Sequence, residues 1–128
     1  MILDTNALSA FVDGDPAVGA RLLQASGAAI PVIVLGEFRY GIAASRYRRQ
    51  YEAWLERHLP DFEILSVTES TTLMYAHVRS ALKQLGRPIP ANDVWIAALA
   101  LQHRLPLLSQ DEHFDVVPGL RRETWPRV

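Results

Sequence analysis

The chain has 128 residues, 49% hydrophobic and 21% charged, with a formal net charge of −1 and no cysteine. That size suits a single α/β domain over residues 1–128 with one core, and the balance excludes disulfides, thiolate metal sites and a generally basic nucleic-acid binder. No apolar run approaches the ~20 residues that span a bilayer and no signal-peptide pattern follows Met1, so the cytoplasm is the expected location and no membrane is involved.

Ile2-Leu3 runs straight into Asp4-Thr5-Asn6, which reads as a short buried strand delivering an acid to a sheet edge. In α/β folds ligands collect at the carboxyl ends of strands. A helix over Ala7–Val12 follows, with Asn6 as its expected N-cap. Asp13-Gly14-Asp15-Pro16 is turn chemistry, and Pro16 opens a second helix over Ala17–Ala25 with Val18, Leu22 and Leu23 inward. Gly27 closes it, and Ala29-Ile30-Pro31 makes a second strand. From Val32 the spacing of Val34, Leu35, Phe38 and Ile42 is helical, with Glu37 inside the apolar run. Arg46–His58 is a further amphipathic helix bearing Tyr47, Tyr51, Trp54 and Leu55, broken by Pro60-Asp61.

Phe62–Leu65 alternates as a third strand, and a long helix over Glu69–Leu85 buries Leu73, Ala76, Val78 and Leu82 before Gly86 ends it. After the stiff Arg87-Pro88-Ile89-Pro90 connector, Asn92-Asp93 opens a nearly all-apolar helix, Val94–Leu101, expected to be central. Pro106–Ser109 is the next strand, running into Gln110-Asp111-Glu112, and a last strand covers Leu120–Thr124, with Trp125-Pro126 sealing an edge. Strands alternating with helices give an α/β layered fold around a mainly parallel sheet.

Asp4, Glu37, Asp93 and Asp111 each adjoin an apolar segment able to bring them to one edge. Singly, each has an ordinary explanation: Asp4 caps a helix, Asp93 complements a helix N-terminus, and Asp111 sits in a turn. Glu37, among Val34, Leu35 and Phe38, needs a partner. Gathered together they repel by about 4 kcal/mol per pair at about 4 Å and an effective dielectric near 20, so such a cluster takes up protons or cations. Oxygen donors without cysteine favour magnesium or manganese.

The segments Ile2-Leu3-Asp4-Thr5-Asn6, Val34-Leu35-Gly36-Glu37-Phe38-Arg39-Tyr40-Gly41, Pro90-Ala91-Asn92-Asp93-Val94-Trp95-Ile96-Ala97-Ala98 and Leu107-Leu108-Ser109-Gln110-Asp111-Glu112-His113-Phe114 follow one another over essentially the whole length. In that order they resemble the PIN-domain ribonucleases, specifically the VapC-type toxins of bacterial toxin–antitoxin pairs. The resemblance implies a three-layer α/β/α PIN-like fold with a Mg2+ or Mn2+ site at the sheet edge. Asp4, Glu37, Asp93 and Asp111 match the four acids that bind metal and carry catalysis, while Thr5, Asn92 and Ser109 fall where supporting groups orient ligands or water. Ser109 stands where many members have threonine, keeping the hydroxyl; the fourth acid is the least regular position, with Glu112 or Asp115 as alternatives to Asp111. The implied activity is endoribonuclease attack by metal-activated water, leaving a 5′-phosphate, in a homodimer neutralised by a cognate antitoxin.

Arg39, Arg46, Arg49 and Arg87 are candidate RNA contacts; the competing reading of the Arg46–His58 stretch is a solvated face with its aromatics in the core or a dimer interface. Lys83, near the connector to Asp93, is a further candidate for reaching the RNA backbone. The histidines His58, His77, His103 and His113 show no zinc spacing and read as surface or helix-end residues. Two rival functions remain open at this point. One is a phosphoryl-handling α/β protein, such as a phosphatase or receiver-like domain, although Asn6 stands where haloacid-dehalogenase-like phosphatases need a second aspartate. The other is a non-catalytic member that only binds metal or a partner.

Overall fold

The computed structural model describes residues 1–127. Five short strands, β1 (Ile2–Leu3), β2 (Ala29–Pro31), β3 (Glu63–Leu65), β4 (Leu107–Leu108) and β5 (Arg122–Glu123), form one sheet in the order β3-β2-β1-β4-β5. Every pairing is parallel, not merely most of them. The helices are α1 (Thr5–Val12), α2 (Pro16–Gln24), α3 (Val32–Ala43), α4 (Arg48–His58), α5 (Glu69–Gln84) and α6 (Ala91–His103).

The chain steps from β1 outward to β2 and β3, then returns past β1 to β4 and β5. Parallel crossovers follow a right-handed rule, which sends the connections before and after that reversal over opposite faces. The reversal leaves a switch point where β1 and β4 lie side by side, in register Leu3↔Leu108. At such a point the loops leaving adjacent strands diverge and open a crevice at their carboxyl ends. Asp4 and Ser109 are the next residues on these two strands. The sheet is sealed by Ile2, Leu3, Ile30, Leu107 and Leu108, all fully buried, and by α6, whose Ile96, Ala97, Ala98 and Leu99 have no exposure. Helix α6 is therefore the central helix the apolar run predicts.

Several local expectations are corrected. Helix α1 starts at Thr5, two residues early, and of the two caps the sequence offers, Asn6 and Asp4, it is Asp4 whose carboxylate accepts from the Thr5 amide, at 2.8 Å. The carboxylate reaches the first free amide directly, leaving the Asn6 side chain for other partners. Helix α2 is capped by Asp15, and Leu23 is 88% exposed because it lies off the stripe shared by Val18 and Leu22. Helix α4 begins at Arg48, after a turn in which the Ser45 hydroxyl accepts from the Tyr47 amide.

On α5 the buried face is Thr71, Val78 and Leu82; Leu73, 75% exposed, and Ala76 face solvent. A threonine holds the inward position because its hydroxyl caps and bonds: it accepts from the Thr68 amide and donates to Gln102 on α6. Helix α6 starts three residues before Val94, placing Asn92 and Asp93 inside its first turn. The last strand is confined to Arg122–Glu123, with Trp125 buried beyond it.

Candidate active site

Asp4 is only 5% exposed and is held at both oxygens. Its backbone amide extends the β ladder to the Leu108 carbonyl at 3.1 Å, which fixes where the side chain leaves the sheet. Oδ1 accepts from the Thr5 backbone amide, and Oδ2 accepts from the Ser109 hydroxyl at 2.7 Å and the Asn6 side-chain Nδ2 at 3.3 Å. The cap and the site acid are thus one residue.

Ser109, fully buried, also accepts from the Asp111 amide at 3.0 Å, so one hydroxyl orients Asp4 and shapes the turn that presents Asp111. Asn6 completes the brace. Its side chain donates to Ser109 and accepts from the Gln110 amide at 3.2 Å, tying the β1–α1 corner to the loop after β4. Sequence reasoning missed this bracing role, because it assigned Asn6 to capping alone.

Glu37 arrives from α3, which springs from β2 with no intervening loop. The carboxylate is half-buried, and its Oε1 accepts from the Thr5 hydroxyl at 2.9 Å, supplying the partner its apolar neighbourhood demands. Asp93 lies in the first turn of α6, with its side chain 16% exposed. A helix N-terminus favours the carboxylate form, yet burial opposes it more strongly and pushes the Asp93 pKa up to about 6. The charges of Asp4, Glu37 and Asp111 push in the same direction, and His113 pulls against them. Burial also raises the Asp4 pKa, against the hydrogen bonds from Ser109 and Thr5, with Glu37 and Asp111 adding repulsion. These mutual couplings place all four carboxylates in one electrostatic neighbourhood. Among the described residues, no lysine or arginine forms an ion pair with any of them.

The cation-capable neighbour is His113, read from sequence as a surface or helix-end residue. It sits on the short 3-10 turn Glu112–Val116, with Nε2 2.9 Å from Asp93 Oδ2 and Nδ1 3.1 Å from Asp111 Oδ1. Its only sequence signal is the Asp-x-His spacing after a strand; its approach to Asp93 on α6 is purely tertiary. One donor atom each from Asp93, Asp111 and His113 fall within 4.8 Å of one another, a set able to hold a metal ion.

The alternatives to Asp111 are otherwise placed. Asp115 forms a two-pronged pair with Arg122, at 2.7 and 2.9 Å, which holds its carboxyl below the usual range, and Glu112 is exposed. Asn92 is exposed too, whereas Thr5 and Ser109 touch site carboxylates directly.

Arg39, Arg46, Arg49 and Arg87 are all exposed. The aromatic half of the Arg46–His58 patch divides: Tyr47 is exposed and bonded by Arg46, while Trp54 packs edge-on against Phe11 and Tyr51 against Phe38. A groove of about 300 Å³, lined by Thr5, Ser9, Glu37, Gly41, Ser45 and Tyr51 among others, leads away from Glu37. Another, of about 470 Å³, passes Lys83, Ile89 and Val94 close to the start of α6.

Removing the Ser109 hydroxyl tests this brace. Ser109→Ala is expected to lower any reaction that depends on Asp4 by roughly 10–100-fold, the scale for groups that orient a functional carboxylate, with the fold retained. Ser109→Thr, which keeps the hydroxyl, is expected to retain most of it. Equal loss in both variants would assign the effect to packing in a buried position.

Comparison with known proteins follows the same outline. The PIN domain family model matches residues 1–120. A protein named Ribonuclease VapC5, from Mycobacterium tuberculosis, is 35% identical over 121 residues, covering 92% of this chain and 87% of that protein. The crystal structure of VapBC2 from Rickettsia felis bound to a DNA fragment from their promoter aligns with a TM-score of 0.89 at 28% identity, covering 98% of both chains. VapBC-5 from Mycobacterium tuberculosis, described as a member of the VapBC family of toxin-antitoxin systems, aligns with a TM-score of 0.69 at 30% identity, covering 98% of this chain and 97% of that one.

Proposed function

The chain belongs to the PIN domain family, and we propose on that premise that it is an endoribonuclease toxin neutralised by a cognate antitoxin protein. We further propose that one domain hydrolyses RNA phosphodiester bonds with Mg2+ or Mn2+, leaving 5′-phosphate ends, in the cytoplasm and as a homodimer. The observation that carries this is the shared electrostatic neighbourhood of Asp4, Glu37, Asp93 and Asp111, with the pKa values of Asp4 and Asp93 raised and, among the described residues, no lysine or arginine paired to the four acids. A structural ion-pair network would include cations; this arrangement supplies negative charge in search of one.

The donor set fits a hard divalent ion: carboxylate oxygens dominate and thiolates are absent. Asp4, Glu37, Asp93 and Asp111 would hold it. When bound, the ion would polarise water and offset charge developing on phosphate oxygens. Ser109, Asn6 and Thr5 hold the Asp4 and Glu37 carboxylates in place, so these two need little reorganisation on binding. The exposed Arg39, Arg46, Arg49 and Arg87 are proposed to meet the RNA backbone, and the groove beyond Glu37 offers a path for a single strand.

The cellular test is induction of the chain in a bacterial host. Growth arrest is expected, relieved both by Asp4→Asn and by co-expression of the cognate antitoxin. Arrest that persists at equal protein level with Asp4→Asn would overturn the assignment of toxicity to this site.

A further inference from the structure

Resting on the metal-dependent reading above, we propose that His113 is itself a ligand of the divalent ion, turning an all-carboxylate site into a mixed imidazole and carboxylate site that prefers manganese to magnesium. Two roles could bring a histidine between two acids. As an imidazolium counterion, both ring N–H groups would point at carboxylate oxygens and form charge-assisted hydrogen bonds. His113 does not meet that description. Its Nε2 is buried and has no hydrogen-bond partner, although Asp93 Oδ2 is only 2.9 Å away. The proximity is there and the N–H alignment is not.

A buried nitrogen that forfeits its hydrogen bond has lost solvation for nothing. Bound to an ion shared with Asp93, the same nitrogen acts as a lone-pair donor and needs no aligned N–H. The other nitrogen, Nδ1, lies 3.1 Å from Asp111 Oδ1, likewise without an aligned hydrogen bond. A carboxylate on the far nitrogen fixes the tautomer and orients the ring of a metal-binding histidine.

The ring is also held in place from behind. Phe114, fully buried, anchors the 3-10 turn, and the His113 ring leans on it at a centroid distance of 4.7 Å. The Asp115–Arg122 pair pins the far end of the same turn, and Arg122 also donates to the Ser109 carbonyl. Asp93, Asp111 and His113 thus come from two pieces of chain locked separately, α6 and the turn after β4. Magnesium demands hard oxygen donors and keeps its waters, whereas imidazole suits transition metals, so one nitrogen donor shifts selectivity toward manganese.

Pulsed electron paramagnetic resonance of the Mn2+-loaded native protein reads the ligand directly. A nitrogen hyperfine coupling of a bound imidazole is expected, altered when histidine is labelled with the heavy nitrogen isotope. It is expected to vanish in His113→Gln and His113→Ala while manganese still binds. Calorimetry is expected to show Mn2+ affinity falling roughly tenfold in His113→Gln, with Mg2+ affinity changing by less than about twofold. The absence of a nitrogen coupling in the native protein, or its persistence in both variants, overturns the His113 assignment and leaves the metal reading standing. Failure of native protein to bind Mn2+ at all overturns both. The labelled native protein decides between these outcomes even where a variant does not fold.

Discussion

Asp93→Asn is expected to reduce RNA cleavage by roughly 10²–10³-fold or more, and at the same time to raise the thermal midpoint of the metal-free protein at pH 7. The two effects share one cause. Burial and the neighbouring carboxylates raise the Asp93 pKa from an ordinary 3.8 to about 6, so the fold prefers the protonated acid. The native state therefore binds this proton more tightly than the unfolded chain does. Its contribution to stability is present at low pH and is lost as pH rises from about 4 through about 6.

At pH 7 an ionised Asp93 works against the metal-free fold. Asparagine keeps the shape and removes the charge; a rise of roughly 3–6 °C in the melting midpoint is expected. Scanning calorimetry in EDTA, beside a cleavage assay with added metal, measures both. A variant that is inactive and also less stable would point to a structural role for Asp93.

Metal binding and activity are expected to weaken together on acidification. Ligating carboxylates must be deprotonated, so below the Asp93 pKa of about 6 the ion competes with a proton. The apparent affinity for Mn2+ should fall about tenfold per pH unit below that point for one coupled proton. Asp4, whose pKa is also raised by burial, makes the decline steeper once its own proton is retained. Titration calorimetry at a series of pH values checks this, and cleavage lost at low pH should return on adding more metal. Metal affinity that stays flat between pH 7 and pH 5 would contradict the account.

The four acids were legible because each follows a segment whose apolar pattern is readable on its own. Asp4 ends a short strand, Asp111 follows another, Glu37 interrupts an apolar helix, and Asp93 opens one. Their order along the chain also carries the family resemblance, which supplied the convergence that spacing alone lacks. The central position of α6 was equally plain, since a helix apolar on nearly every side must be covered on nearly every side.

What stayed hidden depends on contacts across the sheet. Asn6 looks like any helix cap, and only the β1–β4 register brings it to Ser109 and Gln110. His113 meets Asp93 through the placement of α6 against the turn after β4, which no local pattern encodes. Leu73 and Leu23 misled because hydrophobicity was taken for burial, while the inward place on α5 went to Thr71, whose hydroxyl is satisfied by Thr68 and Gln102. Helix starts slipped by two or three residues at α1, α4 and α6, where capping geometry decides the boundary.

The most direct measurement is the chemistry of the ends left on a defined single-stranded RNA by the purified protein, with Mn2+ and with EDTA. Hydrolysis at the carboxylate cluster predicts discrete products bearing 5′-phosphate and 3′-hydroxyl ends, none of which form in EDTA. Products with 2′,3′-cyclic phosphates would contradict it, because such cutting uses the RNA's own 2′-hydroxyl; so would cleavage that continues undiminished in EDTA, because it has no need of an ion held by Asp4, Glu37, Asp93 and Asp111.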